Sequence, residues 1–367
     1  WERICRLMGV AYRLPRPASA GTPANRRTGV RHRLRRTTHF RILGAMRAIE
    51  ISRHGGPEVL TPVEVGVPSP GPGDVLVRTT AIAVNYIDTY FREGTYARDL
   101  PFVPGSEGTG VVEELGEGTP DLMVGDRVAW CQVPGSYAQY VVAPAESLVT
   151  VPEGIDDEVA ASMLLQGLTA HYLITDTHRA LPGDTVLITA GAGGVGQLLI
   201  QLAVAHGHRV ITTTSTEEKA DLCRELGAHH VLLYPDATPE RIRELSDGGV
   251  SVVFDGVGRD TFDDSLASLA RRGTLVLFGA ASGPVPPVDP QRLNAAGSVF
   301  LTRPSLGDFI AGTGEFRERA GEVLEGIVDG SLRLSVGATF GLSEAAEAHR
   351  ALQSRQTTGS VVLDPAR

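Results

Sequence analysis

The sequence predicts an α/β chain in which a compact, barrel-like β segment precedes a doubly wound parallel sheet. Two observations carry that prediction. The first is the run Asp184-Thr-Val-Leu-Ile-Thr-Ala190, Gly191-Ala-Gly193-Gly-Val-Gly196, an apolar helical stretch and Arg209-Val-Ile-Thr-Thr-Thr214, which reads as strand, glycine turn, helix and second strand. The second is a change of period: short strands punctuated by Gly, Pro and Asp up to about residue 167, then strands alternating with helices. A chain of 367 residues exceeds what one hydrophobic core usually holds, so about two domains are expected. No apolar run reaches the ~18 residues needed to span a bilayer, which argues for a soluble protein. Cys5, Cys131 and Cys223 lie far apart with no C-x-x-C. That spacing suits neither a disulfide framework nor a zinc cluster and fits a reducing, cytoplasmic setting.

Taken in order, residues 1 to 45 are dense in Arg, Pro and Thr and lack apolar periodicity. They hold eleven Arg and one acid, so the net charge of -9 hides a strongly acidic body. Such a body repels nucleic acid phosphates. The segment reads as an extension upstream of Met46 from a misplaced start, disordered by composition, with a targeting leader as the second reading. From Met46, strands are expected at Arg47-Ala-Ile-Glu-Ile-Ser52, Val75-Leu-Val77, Gly110 to Leu115, Asp126 to Trp130 and Tyr137 to Val142. A helix from Asp156 to about Thr175 leads into the strand, glycine turn and helix described above. Ser215-Thr-Glu-Glu218 reads as a capping box opening a helix that Gly227 closes. Further strands are expected at His230 to Tyr234, Val250 to Asp255, Thr274 to Phe278 and Ser298 to Thr302, then a helix from Phe309 to Asp329. A last strand, Ser360-Val-Val-Leu363, is expected to return to the first domain. The division is thus 46–168, 169–303 and 304–367, after the extension 1–45.

Gly191, Gly193 and Gly196 satisfy G-x-G-x-x-G: a tight turn, a place where backbone approaches a pyrophosphate, and close packing of helix on strand. The amides opening the helix then face phosphate. With strand before and helix after, this predicts a dinucleotide site. NAD-specific sites place an acid about 20 residues beyond the turn. Here Thr212-Thr-Thr-Ser215-Thr216 offers hydroxyls and no carboxylate, with Lys219 close behind, so nothing there repels a 2'-phosphate.

These motifs, together with His54-Gly-Gly-Pro-Glu-Val-Leu60, Asn85-Tyr-Ile-Asp-Thr-Tyr90, Pro104-Gly-Ser-Glu-Gly108, Gln166-Gly-Leu-Thr169, Asp255-Gly-Val-Gly-Arg259 and Thr302-Arg-Pro-Ser-Leu306, follow a family order. From Met46 to its end the chain resembles the quinone oxidoreductase (zeta-crystallin) group of the medium-chain dehydrogenase/reductase family. The resemblance implies a GroES-like catalytic β-barrel interrupted by a Rossmann domain. It also implies NADPH as cofactor, a quinone or related α,β-unsaturated carbonyl as substrate, and homodimers or homotetramers. It places Asn85, Tyr90 and Tyr96 at the substrate cleft, with Asp88 read as a cap acid. Cofactor contacts carried over are Thr169 near the nicotinamide; Gly191, Ala192, Gly193, Gly194, Val195 and Gly196 at the pyrophosphate; Phe278 and Gly279; and Phe300, Leu301 and Thr302. Ser215, Lys219, Tyr234 and Arg355 fall at the 2'-phosphate.

Zinc alcohol dehydrogenases share this architecture, but the position of their ligand histidine holds Ser106, and the four-cysteine lobe is missing, so no metal is expected. The close pairs His206 with His208 and His229 with His230 read as surface residues. Two alternatives stand beside quinone reduction: reduction of an enoyl thioester or enone in the same cleft, and a non-catalytic crystallin-like or RNA-binding role.

Overall fold

The protein is described by a computed structural model over residues 44–367, apart from Pro120 and Gln356. The expectation for residues 1 to 43 lies outside the described residues. The chain opens with an antiparallel pair, β1 (Ala45–Glu50) and β2 (Thr61–Gly66). β3 (Asp74–Val84) follows as the spine of the β domain, pairing with three other strands. Its apolar residues are buried on both faces, so it reads as a nearly continuous apolar run rather than an alternation. Asn85 then caps α1 (Tyr86–Glu93), because the Asp88 carboxylate accepts the Asn85 amide at 2.9 Å. Gly94, at φ 78°, ends it. β4 (Glu107–Leu115), β5 (Arg127–Cys131), β6 (Tyr140–Pro144) and β7 (Leu148–Thr150) complete the barrel-like sheet.

α2 (Asp157–Asp176) is buried almost all round because it packs on β3 and β4 as well as on the next helix. It runs unbroken across residue 168, where the sequence put a boundary. The parallel sheet then builds through β8 (Thr185–Ile188), α3 (Gly194–Ala205), β9 (Arg209–Thr214), α4 (Glu217–Glu225), β10 (His230–Leu233), α5 (Pro239–Leu245), β11 (Val250–Asp255), α6 (Phe262–Ser268), β12 (Leu269–Leu277), α7 (Gln291–Ala295) and β13 (Phe300–Thr302). Its order, β10-β9-β8-β11-β12-β13, reverses direction between β8 and β11, the crevice where such sheets bind ligands. α8 (Leu306–Phe309) and α9 (Thr313–Val328) lead to β14 (Val336–Gly341), α10 (Ala345–Gln353) and β15 (Ser360–Asp364). β15 pairs antiparallel with β3, Val362 opposite Ala83, so the end of the chain is woven into the first sheet. Among the described residues no helix is long and apolar enough to cross a membrane.

Three local expectations are corrected. The cap of α4 is Thr216, whose Oγ1 accepts the Lys219 amide at 3.3 Å, rather than Ser215. β9 runs through Thr214, and Ser215 is needed as the bend. The helix expected from Phe309 to Asp329 is two helices, because Gly312 adopts an extended backbone between them while Phe309 stacks on Tyr172 at 4.3 Å. His208, read as a surface residue, is buried, its ring edge-on to His178 at 5.7 Å.

Candidate active site

A cavity of about 730 Å³ lies between the carboxyl ends of the parallel strands and the β domain. At its centre is the glycine turn. Ala190, two residues after β8, holds φ 54°, a conformation non-glycine residues rarely adopt and one that recurs at functional sites. A Cβ on Gly196 would lie 2.4 Å from the Ala190 carbonyl oxygen, and one on Gly191 would lie 2.1 Å from Thr212 Oγ1. Those two glycines let α3 lie against β8 and β9. Gly193 differs: a Cβ there would meet only the Ala190 oxygen, at 3.3 Å, within the protein, yet Gly193 lines the cavity. Its missing side chain leaves room on the ligand side. Gly194, Val195 and Gly196 also line the cavity, and the first amides of α3 have no partner within the helix. This is a cradle for an anion such as a pyrophosphate.

At one end of the cavity Ser215, Lys219, Tyr234 and Arg355 come together. Lys219 Nζ donates to the Arg355 backbone carbonyl at 2.7 Å, which seats the lysine against the segment that carries Arg355, and its partial burial lowers its pKa. Glu217 turns away to Arg224, at 3.4 Å. Neither Glu217 nor Glu218 is on the cavity wall. This end therefore carries positive charge opposed by no lining acid.

The other end is built by α1 and the loop after it. Tyr90 accepts the Ala280 amide at its hydroxyl oxygen, 3.2 Å away, which ties the β domain to the loop after β12. Burial pushes its pKa up to about 12, so it stays a neutral donor. Tyr96 meets it edge-on at 5.4 Å. Asn85 Nδ2 donates to Glu107 Oε2 at 2.8 Å, and Glu107 Oε1 accepts the Leu165 amide at 2.7 Å. Glu107 is fully buried, and that burial pushes it up to about 8. Behind this wall lies a second buried chain. Arg92 donates to His349 Nδ1 at 2.9 Å, which leaves the proton on Nε2 to donate to the Tyr137 oxygen at 3.0 Å. The Tyr137 hydroxyl then donates to Asp88 at 3.2 Å. Burial lifts Asp88 to about 6 and drops His349 to about 3. Asp88 is thus the cap acid of α1 and also the end of a network that fixes α1 against α10. Ser106, on the cavity wall, donates to Asp88 at 3.4 Å.

Thr169, Phe278 and Gly279 line the middle of the cavity, as does Ala192. Four of the expected contacts do not line the cavity. Gly191 lies behind the turn, since its place is taken up by packing on Thr212. Phe300, Leu301 and Thr302 form β13, which pairs with β12, and Phe300 is exposed. The residues after them, Arg303 to Leu306, face the cavity instead, because ligand crevices lie beyond strand ends. Glu107, Gln132 and Arg98 were missed. Only Glu107 left a signal, as an acid inside an apolar strand beginning. Among the described residues no group of three or more His, Cys, Asp or Glu is placed to hold a metal ion.

Fold and cavity together define a nicotinamide-dinucleotide oxidoreductase. Comparison with known proteins specifies it further. Residues 71–153 match the profile described as alcohol dehydrogenase GroES-like domain, and 194–325 match zinc-binding dehydrogenase. The chain is 44% identical over 328 residues to the 2-haloacrylate reductase of a Burkholderia species, covering 87% of this chain and 98% of the relative. It is also 44% identical over 322 residues to a quinone oxidoreductase of Pseudomonas aeruginosa, covering 86% and 99%. The solved structure of a mycobacterial protein complexed with NADPH superposes with a TM-score of 0.84 at 55% identity, covering 87% of this chain and all of that one. The chain belongs to the quinone oxidoreductase group of the medium-chain dehydrogenase/reductase family.

Proposed function

We propose that the chain is an NADPH-dependent reductase of quinones and related α,β-unsaturated carbonyls that works without a metal. The observation that carries the reading is a single cavity joining a cationic pocket, a phosphate cradle and an aromatic wall. Bound NADPH would supply the hydride, and the protein supplies binding and orientation. Lys219, Tyr234 and Arg355 hold the 2'-phosphate, and the amides opening α3 hold the pyrophosphate. Thr169, Phe278 and Gly279 border the nicotinamide. Asn85, Tyr90 and Tyr96 hold the acceptor: the Tyr90 oxygen already accepts from Ala280, which leaves its proton to point at an acceptor carbonyl. A quinone is flat and electron-poor, so positioning supplies most of what it needs. Ser106 stands where a zinc ligand would be required, and its hydroxyl is a poor substitute for imidazole.

A second reading, reduction of an activated C=C in an unsaturated acid or thioester, is favoured by the Burkholderia relative, whose name is that of a haloacrylate reductase. The family resemblance further suggests a homodimer, which sedimentation would test. The deciding experiment is NADPH oxidation screened against 1,4-naphthoquinone, a simple enal, 2-chloroacrylate and crotonyl-CoA. Turnover of none of them would sink the reading.

A further inference from the structure

The cavity wall carries four cations, Arg98, Lys219, Arg303 and Arg355, and no Asp or Glu. Lys219 donates to the Arg355 backbone carbonyl, and the reading above gives both side chains the 2'-phosphate. The other two stand elsewhere. Arg303 follows β13, and β9, which leads to Lys219, is four strand spacings away in the sheet, about 19 Å at the usual separation. The α3 N-terminus follows β8, three spacings or about 14 Å off. Neither phosphate position is within easy reach of Arg303. Arg98 belongs to the β domain, its guanidinium 5.1 Å from the Phe91 ring centroid and 5.5 Å from that of Phe102. Phe91 also packs edge-on against Tyr96 at 5.7 Å. Among the described residues neither arginine has an ion-pair partner. Asp88, a carboxyl on which Arg98 acts electrostatically, is sealed behind the wall, its oxygens taken by the Asn85 amide, Tyr137 and Ser106. Asp99, next in the chain, is exposed and off the wall.

We infer that Arg98 and Arg303 form an anion-binding end of the acceptor pocket, so that the preferred acceptor carries a carboxylate or similar acid group beside its conjugated system. This rests on the reductase reading. The chemistry gains from it. In an unsaturated carboxylate, hydride donated from NADPH bonds to the β-carbon, and the C=C electron pair moves onto the α-carbon and carboxylate. A proton from water then bonds to the α-carbon, with NADPH oxidised to NADP+. Negative charge grows on the carboxylate during hydride addition, where two guanidinium groups stabilise it.

The test compares charged and neutral acceptors of one shape, 2-chloroacrylate with 2-chloroacrylamide and 1,4-naphthoquinone-2-sulfonate with 1,4-naphthoquinone, at saturating NADPH. Arg303→Gln changes an exposed residue, and Arg98→Met keeps the apolar stem that packs on Phe91 and Phe102. In each variant the charged-to-neutral ratio of kcat/KM should fall at least about tenfold, the size of a lost charge-assisted hydrogen bond. Arg303→Lys should retain most of it. An unchanged ratio in both variants, or equal losses on charged and neutral acceptors, would overturn the inference while leaving the reductase reading intact. A raised KM for NADPH in place of the ratio change would move these cations to the cofactor. If no acceptor is reduced by the unaltered chain, both inference and reading fall.

Discussion

Gly193 and Gly196 are three residues apart in one motif, yet the structure gives them separable tasks, and adding a single methyl to each tells them apart. On Gly196 the new Cβ would fall 2.4 Å from the Ala190 oxygen and 2.8 to 2.9 Å from the Gly191 backbone. All three obstacles are main chain, so no rotamer relieves them. Overpacking of this kind costs about 1 to 3 kcal/mol, and the better helix propensity of Ala offsets at most about 1. At roughly 2 to 4 °C per kcal/mol for a domain of this size, Gly196→Ala should lower Tm by several degrees. Gly193 has φ -77° and ψ 167°, open to any residue, and its Cβ would meet the protein only at 3.3 Å. Gly193→Ala should leave Tm within about 2 °C but place a methyl in the cradle. NADPH affinity should fall at least about tenfold, or ~1.4 kcal/mol. Thermal melting with and without NADPH, and titration calorimetry, measure both. Unchanged NADPH affinity in Gly193→Ala would refute the cradle, and an unchanged Tm in Gly196→Ala would refute the packing argument.

Lys219→Ala should raise KM for NADPH at least about tenfold and barely alter that for NADH; equal weakening of both would remove Lys219 from the phosphate. Tyr90→Phe leaves the Ala280 amide without its acceptor and removes a donor from the wall, so quinone kcat/KM should drop about fivefold or more for a bond worth about 1 kcal/mol. Unchanged quinone turnover there and in Asn85→Ala and Tyr96→Phe would clear all three from the site. Glu107, held at about 8 by burial, keeps a proton when folded that the unfolded chain loses. Stability should therefore fall as pH rises from the ordinary glutamate range to about 8, by up to ~1.4 kcal/mol per pH unit. Denaturant melts of Glu107→Gln should show that decline flattened; an identical slope would mean Glu107 is ionised in the folded protein.

The parallel sheet was legible because its signals are local: each strand is a short apolar run, and Gly207 at φ 80° follows α3 where the spacing put a helix end. The phosphate cradle was legible for the same reason. What escaped depends on distant partners. Glu107 acquires its place from Asn85 and Leu165, and His349 from Arg92, which is 257 residues away. Phe300 to Thr302 differ from Arg303 to Leu306 in position along one strand and its exit. A family motif names a neighbourhood, and only the pairing of β13 with β12 shows that the residues reaching the cavity begin at Arg303. Likewise the Ser215 cap was a one-residue slip, since Ser and Thr both serve as caps and the end of β9 decides between them.

The central claim is metal-free reduction of a conjugated acceptor by NADPH. It is tested most directly by the rate of NADPH oxidation with 1,4-naphthoquinone, before and after exhaustive dialysis against a strong chelator, with NADH run in parallel. The account predicts turnover unchanged by the chelator and a kcat/KM for NADPH at least about tenfold that for NADH. Activity lost on dialysis and restored by zinc, or equal use of the two cofactors, would contradict it.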